Sequence, residues 1–277
     1  MPSRMTRRKF LSTAAGALAA GGLGGYSLWE SGDLITRTLT IRLSGLPPGF
    51  DGCRVAFLAD LHHGWFISRD YLASAILRTN ALQPDLILLG GDYIDRYSGY
   101  IAPVMEELGK LKSPLGVFAV QGNRDIRLNR VLTSKELLRQ GIRELTNKGC
   151  WLERNGSKLW LCGMDDATIG HPDVSAALKG LPPDAVAIAF SHNPDLAESL
   201  RDPRIRLMCC GHTHGGQINL PLAGPLFIPS AFGHKYAQGL VQAPVTKVFV
   251  TSGVGAAFPP FRFRCPPEVA LLTLACA

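Results

Sequence analysis

The chain has 277 residues, enough for one large domain or two small ones, each with a sizeable core. Hydrophobic residues make up 46% and charged residues 18%, a balance that excludes an intrinsically disordered chain. The formal charge of +7 is partly local: without Arg4, Arg7, Arg8 and Lys9, 25 basic residues face 22 acidic ones, a net +3, so no nucleic-acid partner is expected.

At the N-terminus "TRRKFLS" (6–12) precedes "TAAGALAAGGLGG" (13–25), a basic stretch followed by a mildly apolar run without charge. That order reads as an export signal. Arg7-Arg8 followed by Phe10-Leu11 resembles the twin-arginine type, whose route carries folded proteins. The run is short for a membrane span. Residues 1–30 are therefore expected to be either a removable signal or a retained N-terminal anchor. Either would place the remainder in the periplasm or on the outer face of the cell membrane. The seven cysteines, at 53, 150, 162, 209, 210, 265 and 276, are odd in number and contain no Cys-x-x-Cys pair. They argue against a disulfide scaffold and against thiolate zinc ligation.

From residue 54 onward short apolar runs recur: "RVAFLAD" (54–60), "DLILLGGD" (85–92), "LGVFAVQGN" (115–123), "KLWLCGMDD" (158–166), "AVAIAFSH" (185–192), "IRLMCCGH" (205–212), "KVFVTSG" (247–253) and "VALLTLA" (269–275). Each has strand length and is bounded by Gly, Pro or polar residues. Ser68 is placed to cap a helix over 69–81, with Pro84 just past its end, and "SKELLRQ" (134–140) before Gly141 reads as another. This alternation predicts an α/β fold with sheets covered on both faces. The closer spacing of the later strands predicts more antiparallel pairing there, within a two-sheet sandwich.

Five of the runs end in residues that bind metals. The endings are Asp60-Leu61-His62, Gly91-Asp92-Tyr93-Ile94-Asp95, Gly122-Asn123-Arg124-Asp125, Ser191-His192 and Gly211-His212-Thr213-His214. The carboxyl ends of strands are where α/β sheets place their sites, and the glycines permit close backbone approach. Any one ending alone is ordinary turn chemistry. Together they supply seven nitrogen and oxygen donors, too many for one ion and suited to two ions sharing a carboxylate. Histidine with carboxylate suits zinc, iron or manganese.

These endings, in this order, resemble the signature of the calcineurin-like metallophosphoesterases. "GHTHGGQ" (211–217), "GVG" (253–255) and the "PPEVALLTL" ending (266–274) are most similar to the exported YaeI-type phosphodiesterase branch. The resemblance runs from about Arg54 to Leu274. It implies a two-sheet β-sandwich flanked by helices in four αββα layers, over a domain of residues 31–277. It implies two divalent metal ions. Asp60, His62 and His214 would hold one, Asn123, His192 and His212 the other, with Asp92 bridging. It implies hydrolysis of phosphodiester or pyrophosphate bonds by a metal-bound hydroxide on a phosphorylated small molecule, and the membrane-proximal start adds a cell-envelope lipid as substrate and a membrane surface as partner to the expectations. A phosphomonoesterase and a non-catalytic metal-binding module on the same fold are the alternatives. Asp95 and Asp125 match the signature and would orient ligands or neighbours. His63 is expected to point away from the metals, and His171 and His234 match no metal position.

One position departs from the family. Where histidine usually follows the Asn of the third motif, as phosphate contact and general acid, this chain has Arg124. Arginine clamps phosphate oxygens in a bidentate fork but keeps its proton near neutral pH. The same "GNRD" (122–125) occurs in UDP-diacylglucosamine pyrophosphate hydrolases, whose leaving group is itself a phosphate. Arg127 and Arg130 follow at intervals of three and read as a basic edge or a solvated face.

Overall fold

The computed structural model describes residues 22 and 24–277. The Arg7-Arg8 signal lies outside the described residues. A helix over 24–32 (α1) leads into β1 (Ile35–Leu43). The first half then alternates β2 (Arg54–Leu58), α2 (Arg69–Ala81), β3 (Leu86–Leu89), α3 (Ile101–Leu108), β4 (Val117–Ala119), α4 (Asn123–Arg139) and β5 (Arg143–Glu144). Strands β2, β3, β4 and β5 pair in parallel, as crossover helices require. The Ser68 hydroxyl accepts a hydrogen bond from the Tyr71 amide and so caps α2 as the sequence predicts. Helix α4 begins eleven residues earlier than "SKELLRQ" suggests, because Gly122 caps it and the Asp125 carboxylate accepts from the Gly122 amide. It breaks its helical path at Asn129 (φ −171°, ψ 82°).

The C-terminal strand β14 (Glu268–Cys276) returns to this sheet. It lies between β1, to which it is parallel, and β2, to which it is antiparallel. The second sheet contains β6 (Lys148–Arg154), β7 (Ser157–Gly163), β8 (Ala187–Phe190), β9 (Ile205–Cys210), β12 (Gly239–Gln242) and β13 (Lys247–Val250), in the order β12-β13-β9-β8-β7-β6. The small hairpin β10 (Asn219–Leu220) and β11 (Gly224–Pro225) lies outside both sheets.

The expected antiparallel character of the later half holds only at the edges of that sheet. β6 with β7 and β12 with β13 are antiparallel, while β7, β8, β9 and β13 run parallel. Short helices α5 (Val174–Ala177) and α6 (Leu196–Ser199) make the crossovers, so close strand spacing does not imply hairpins here.

Strand alternation explains why the runs are apolar throughout. Val55, Phe57, Leu86, Leu88, Ile188, Phe190, Leu207 and Cys209 point into one core between the sheets. There Phe57 and Phe249 meet edge-to-face, 6.5 Å between centroids. Ala56, Leu58, Ile87 and Leu89 point outward beneath α2, α3 and α4, and Ala187, Ala189, Met208 and Cys210 beneath α5 and α6. Two sheets with helices on both outer faces make the four αββα layers. All seven cysteines are free and six are buried, as small hydrophobes. Among the described residues no helix is long and apolar enough to cross a membrane.

Candidate metal centre

Every strand ending singled out above meets at one edge of the sandwich. Asp60 and His62 follow β2, Asp92 and Asp95 follow β3, and Asn123 opens α4 just after β4. His192 follows β8, and His212 and His214 follow β9. Five of them hold left-handed backbones: Asp60, His62, Asp92, His212 and His214, with φ between +48° and +73°. Such conformations are costly for residues other than glycine and persist where the surrounding structure imposes them, which is typical of functional sites. The neighbouring glycines are needed for space. A Cβ on Gly122 would stand 2.3 Å from Asp92 Oδ1, and one on Gly211 would stand 2.2 Å from Asp60 Oδ2.

The donor atoms gather in two groups. In the first, His62 Nε2 lies 3.0 Å from His214 Nε2, and Asp60 Oδ1 lies 3.8 Å and 3.4 Å from them. In the second, His192 Nε2 lies 3.2 Å from His212 Nδ1 and 3.5 Å from Asp92 Oδ2. Asp92 Oδ2 is also 3.7 Å from His62 Nε2, so this carboxylate stands between the groups. The His192 Nδ1–H donates to the Gly90 carbonyl at 2.9 Å, which turns Nε2 into the pocket towards Asp92 and His212. The Asn123 Oδ1 atom is buried without a hydrogen-bond partner, and its residue lines the same pocket as His62, Asp92 and His212.

The electrostatics fit a cation. Burial opposes ionisation of both Asp60 and Asp92, yet the surrounding imidazoles prevail. They hold Asp60 well below the usual carboxylate range and Asp92 at about 2. Burial lowers His212 and His214, leaving them neutral donors, whereas Asp92 and then Asp60 raise His192 against its burial. Two buried carboxylates facing nitrogen lone pairs, with an unpaired amide oxygen beside them, are the donor set of a divalent metal site. Asp60, His62 and His214, and separately Asp60, Asp92 and His192, lie close enough together to hold an ion.

The remaining predicted residues divide. Arg124 lines the pocket, its side chain 28% exposed, its amide donating to Asp92 Oδ1 at 2.8 Å and its guanidinium 3.6 Å from Asp95 Oδ1. Asp95 Oδ1 also lies 3.9 Å from His62 Nδ1, close to the imidazole but beyond hydrogen-bond distance. Asp125 does not face the pocket. Its carboxylate accepts from the amides of Asp92 (2.7 Å), Tyr93 (3.0 Å) and Gly122 (3.0 Å), locking the loop that carries Asp92. Burial, and then the charge of Asp92, push its carboxyl up to about 8. Arg127 is exposed, and Arg130 instead pairs with buried Asp165 at 2.8 Å, so the basic edge is not continuous. His63 turns away, bonded to the Ile67 carbonyl (2.9 Å), while His171 is an exposed loop residue and His234 lies exposed in the short 3₁₀ helix Gly233–Tyr236.

Sequence reasoning missed Arg262. It is fully buried and donates to the carbonyls of Ser252 (2.6 Å), Gly255 (2.5 Å) and Cys265 (2.9 Å). It thereby holds the "GVG" segment, whose Gly255 amide donates to the Asp60 carbonyl at 2.7 Å. In sequence, "FRFRC" (261–265) gives no sign of which arginine is buried.

The model of the calcineurin-like phosphoesterase family matches residues 53–216, the stretch that carries all five motifs. The chain belongs to that family. It is 35% identical to the metallophosphoesterase YkuE of Bacillus subtilis over 98% of each chain. It is 33% identical to the phosphodiesterase YaeI of Escherichia coli, over 98% of this chain and 99% of that one. A bovine transmembrane protein with a metallophosphoesterase domain is 29% identical over 87% of this chain and 57% of its own length. This family member is a metal-dependent phosphoester hydrolase, as the sequence predicts. Its two mixed sheets flanked by helices are the expected fold.

Proposed function

We propose that the chain is a two-metal hydrolase of phosphodiester or pyrophosphate bonds. The observation that carries this reading is the convergence of Asp60, His62, His214, Asp92, His192 and His212 into two adjoining donor groups beside Arg124. Asp60, His62 and His214 would hold one ion, Asn123, His192 and His212 the other, with Asp92 shared. Bound there, manganese, iron or zinc would supply Lewis-acid polarisation of a phosphoryl oxygen and acidify a water towards about pH 7.

The chain's own groups do the rest. Arg124 grips the non-bridging phosphate oxygens and meets the charge that grows on them in the transition state. It cannot protonate a leaving group, which favours leaving groups that depart as stable anions. Asp95 pairs with the Arg124 guanidinium and places a carboxylate beside the His62 ring. Asp125 fixes the Asp92 backbone. The pocket is open, and Leu226, Phe227 and Pro259 form an apolar wall beside the donors. That wall has room for a second substituent on phosphorus, which favours a diester or an anhydride over a monoester. A non-catalytic metal module has no support in the site, where every donor of the signature is in place.

We also read residues 1–30 as a twin-arginine signal or anchor that delivers the folded domain across the membrane. Arg7-Arg8 and the charge-free run after them support this reading.

The test is metal analysis of the purified chain together with hydrolysis of bis(4-nitrophenyl) phosphate after loading with manganese, iron(II) or zinc. About two ions per chain and metal-dependent release of nitrophenolate are expected. One ion per chain at saturation would overturn the two-metal reading, and no turnover with any metal would overturn the hydrolase reading.

A further inference from the structure

Beside the metal pocket lies a second cavity of about 670 Å³, lined by Gly64, Trp65, Tyr97, Tyr100, Arg96 and Phe258 among others. Its volume falls within the range of small-molecule sites. Four of its aromatic side chains face solvent: Trp65 is 88% exposed, Tyr97 64%, Phe66 56% and Phe258 53%. Large exposed aromatics gathered in one place mark a binding surface. The cavity joins the metal pocket directly. Phe258 lines both. Asp95 lines the groove while its Oδ1 stands 3.9 Å from His62 Nδ1 and 3.6 Å from the Arg124 guanidinium.

A charged seam lies where the two spaces meet. The Arg96 guanidinium stacks 4.7 Å above the Phe258 ring and lies 3.4 Å from Asp95 Oδ2. Phe66 meets Phe258 at 5.8 Å between centroids and extends the aromatic wall. From the donors outward the order is therefore nitrogen and carboxylate ligands, then arginines, then an aromatic trough. A phosphate seated at the donors would meet the cations next and present its substituent to the trough. That order matches an amphiphile whose phosphate head carries an apolar chain.

We propose that the Trp65–Tyr97–Phe258 groove is a subsite for the apolar chain of an amphiphilic phosphodiester or pyrophosphate whose phosphate occupies the metal pocket. This inference rests on the hydrolase reading above. The groove selects substrates by the length of that chain, because each methylene taken out of water there adds the same increment of binding. Arg96 and Arg124 mark where the chain ends and the charged head begins.

The experiment uses the full chain loaded with metal and a series of 4-nitrophenyl alkyl phosphodiesters from methyl to octyl, each below its micelle concentration. kcat/KM should rise by about two- to fourfold per methylene until the groove is filled. Trp65→Ala and Tyr97→Ala should flatten that slope, and Tyr97→Phe should retain it. Both truncated side chains are exposed, and thermal melting checks that the variants fold. Turnover of the methyl ester with no dependence on chain length would overturn the subsite while sparing the hydrolase reading. So would a slope unchanged in both alanine variants.

Calorimetric titration with octylphosphonate and methylphosphonate tests the groove without turnover. The octyl compound should bind at least tenfold more tightly, with a more negative heat-capacity change. Equal affinities would overturn the subsite even if no ester in the series were cleaved.

Discussion

Asp92 Oδ2 stands 3.7 Å from His62 Nε2 and 3.5 Å from His192 Nε2, nearer to both than Asp60 Oδ1 at 3.8 Å and 4.0 Å. Asp92→Ala should therefore remove metal from both positions and lower kcat by about 10³-fold or more, since several kcal/mol of charge stabilisation is lost with the ions. Asp95→Asn should cost less, about 10–100-fold, because it acts through His62 and Arg124. Metal analysis and steady-state kinetics on the purified variants check both. Full activity in Asp92→Ala would remove the shared-carboxylate mechanism. Arg124 decides a different property. With no proton to give, rates should fall steeply as the leaving group becomes more basic, so aryl esters and pyrophosphates outpace alkyl esters. Arg124→His should flatten that dependence, since general acid catalysis is worth about 10²–10⁴-fold where the leaving group needs it. The measurement is log rate against leaving-group pKa, and parallel slopes for wild type and Arg124→His would show that position 124 does not govern protonation.

Two elements hold these residues in register. The first turn of α4 presents the Asn123 side chain and the Arg124 amide, and Asp125 ties that turn to the Asp92 loop through the amides of Asp92 and Tyr93. The segment from Ser252 to Cys265 backs Asp60 from the other side. Arg262 gathers its carbonyls, and the Glu30 carboxylate of α1 accepts from the amides of Arg264 (2.9 Å) and Cys265 (2.6 Å). Arg262→Met keeps the volume but leaves buried carbonyls without donors, at about 1–3 kcal/mol for each one unsatisfied. The urea midpoint should fall and metal content should drop together, because Asp60 loses the backbone that positions it. An Arg262→Met chain with the wild-type midpoint and full metal content would show that the segment does not depend on this arginine.

At the scale of the whole molecule, the site draws its residues from both sheets. Removing metal therefore removes a tie across the sandwich and leaves Asp60 and Asp92 as buried like charges. Ions at about one hundred times their dissociation constant add about 2.7 kcal/mol, so chelation should lower Tm by about 5–10 °C, read by differential scanning fluorimetry with and without EDTA. Loss of Tm on chelation should vanish in Asp92→Ala. Delivery belongs to the same scale. Replacing Arg7 and Arg8 with lysine should retain the chain in the cytoplasm, because the twin-arginine route reads the pair itself. Cell fractionation decides it, and unchanged export of the lysine variant would overturn the twin-arginine reading.

The local signals were sufficient for the strands and for the donor residues that gather in the pocket. Continuous apolar runs such as Arg54–Leu58 and Ala187–Phe190 bury both faces and so announce themselves as sheet interior. The residues after them end the strands with glycine, carboxylate and imidazole, which is chemistry carried within three or four positions of chain. That is why Asp60, His62, Asp92, Asn123, His192, His212 and His214 could all be named beforehand. Tertiary structure decided what depends on distant partners. The parallel centre of the second sheet follows from how α5 and α6 pack, not from strand spacing. Asp125 faces backbone amides and not the pocket because β4 and β3 lie side by side. Arg262 is buried while Arg264 is exposed only because the loop after β13 folds back against Asp60. The groove joins Trp65, Tyr97 and Phe258 from three loops, and no pattern in the sequence relates them. Alternation and capping act between neighbours in the chain, whereas a cavity exists only where remote segments meet.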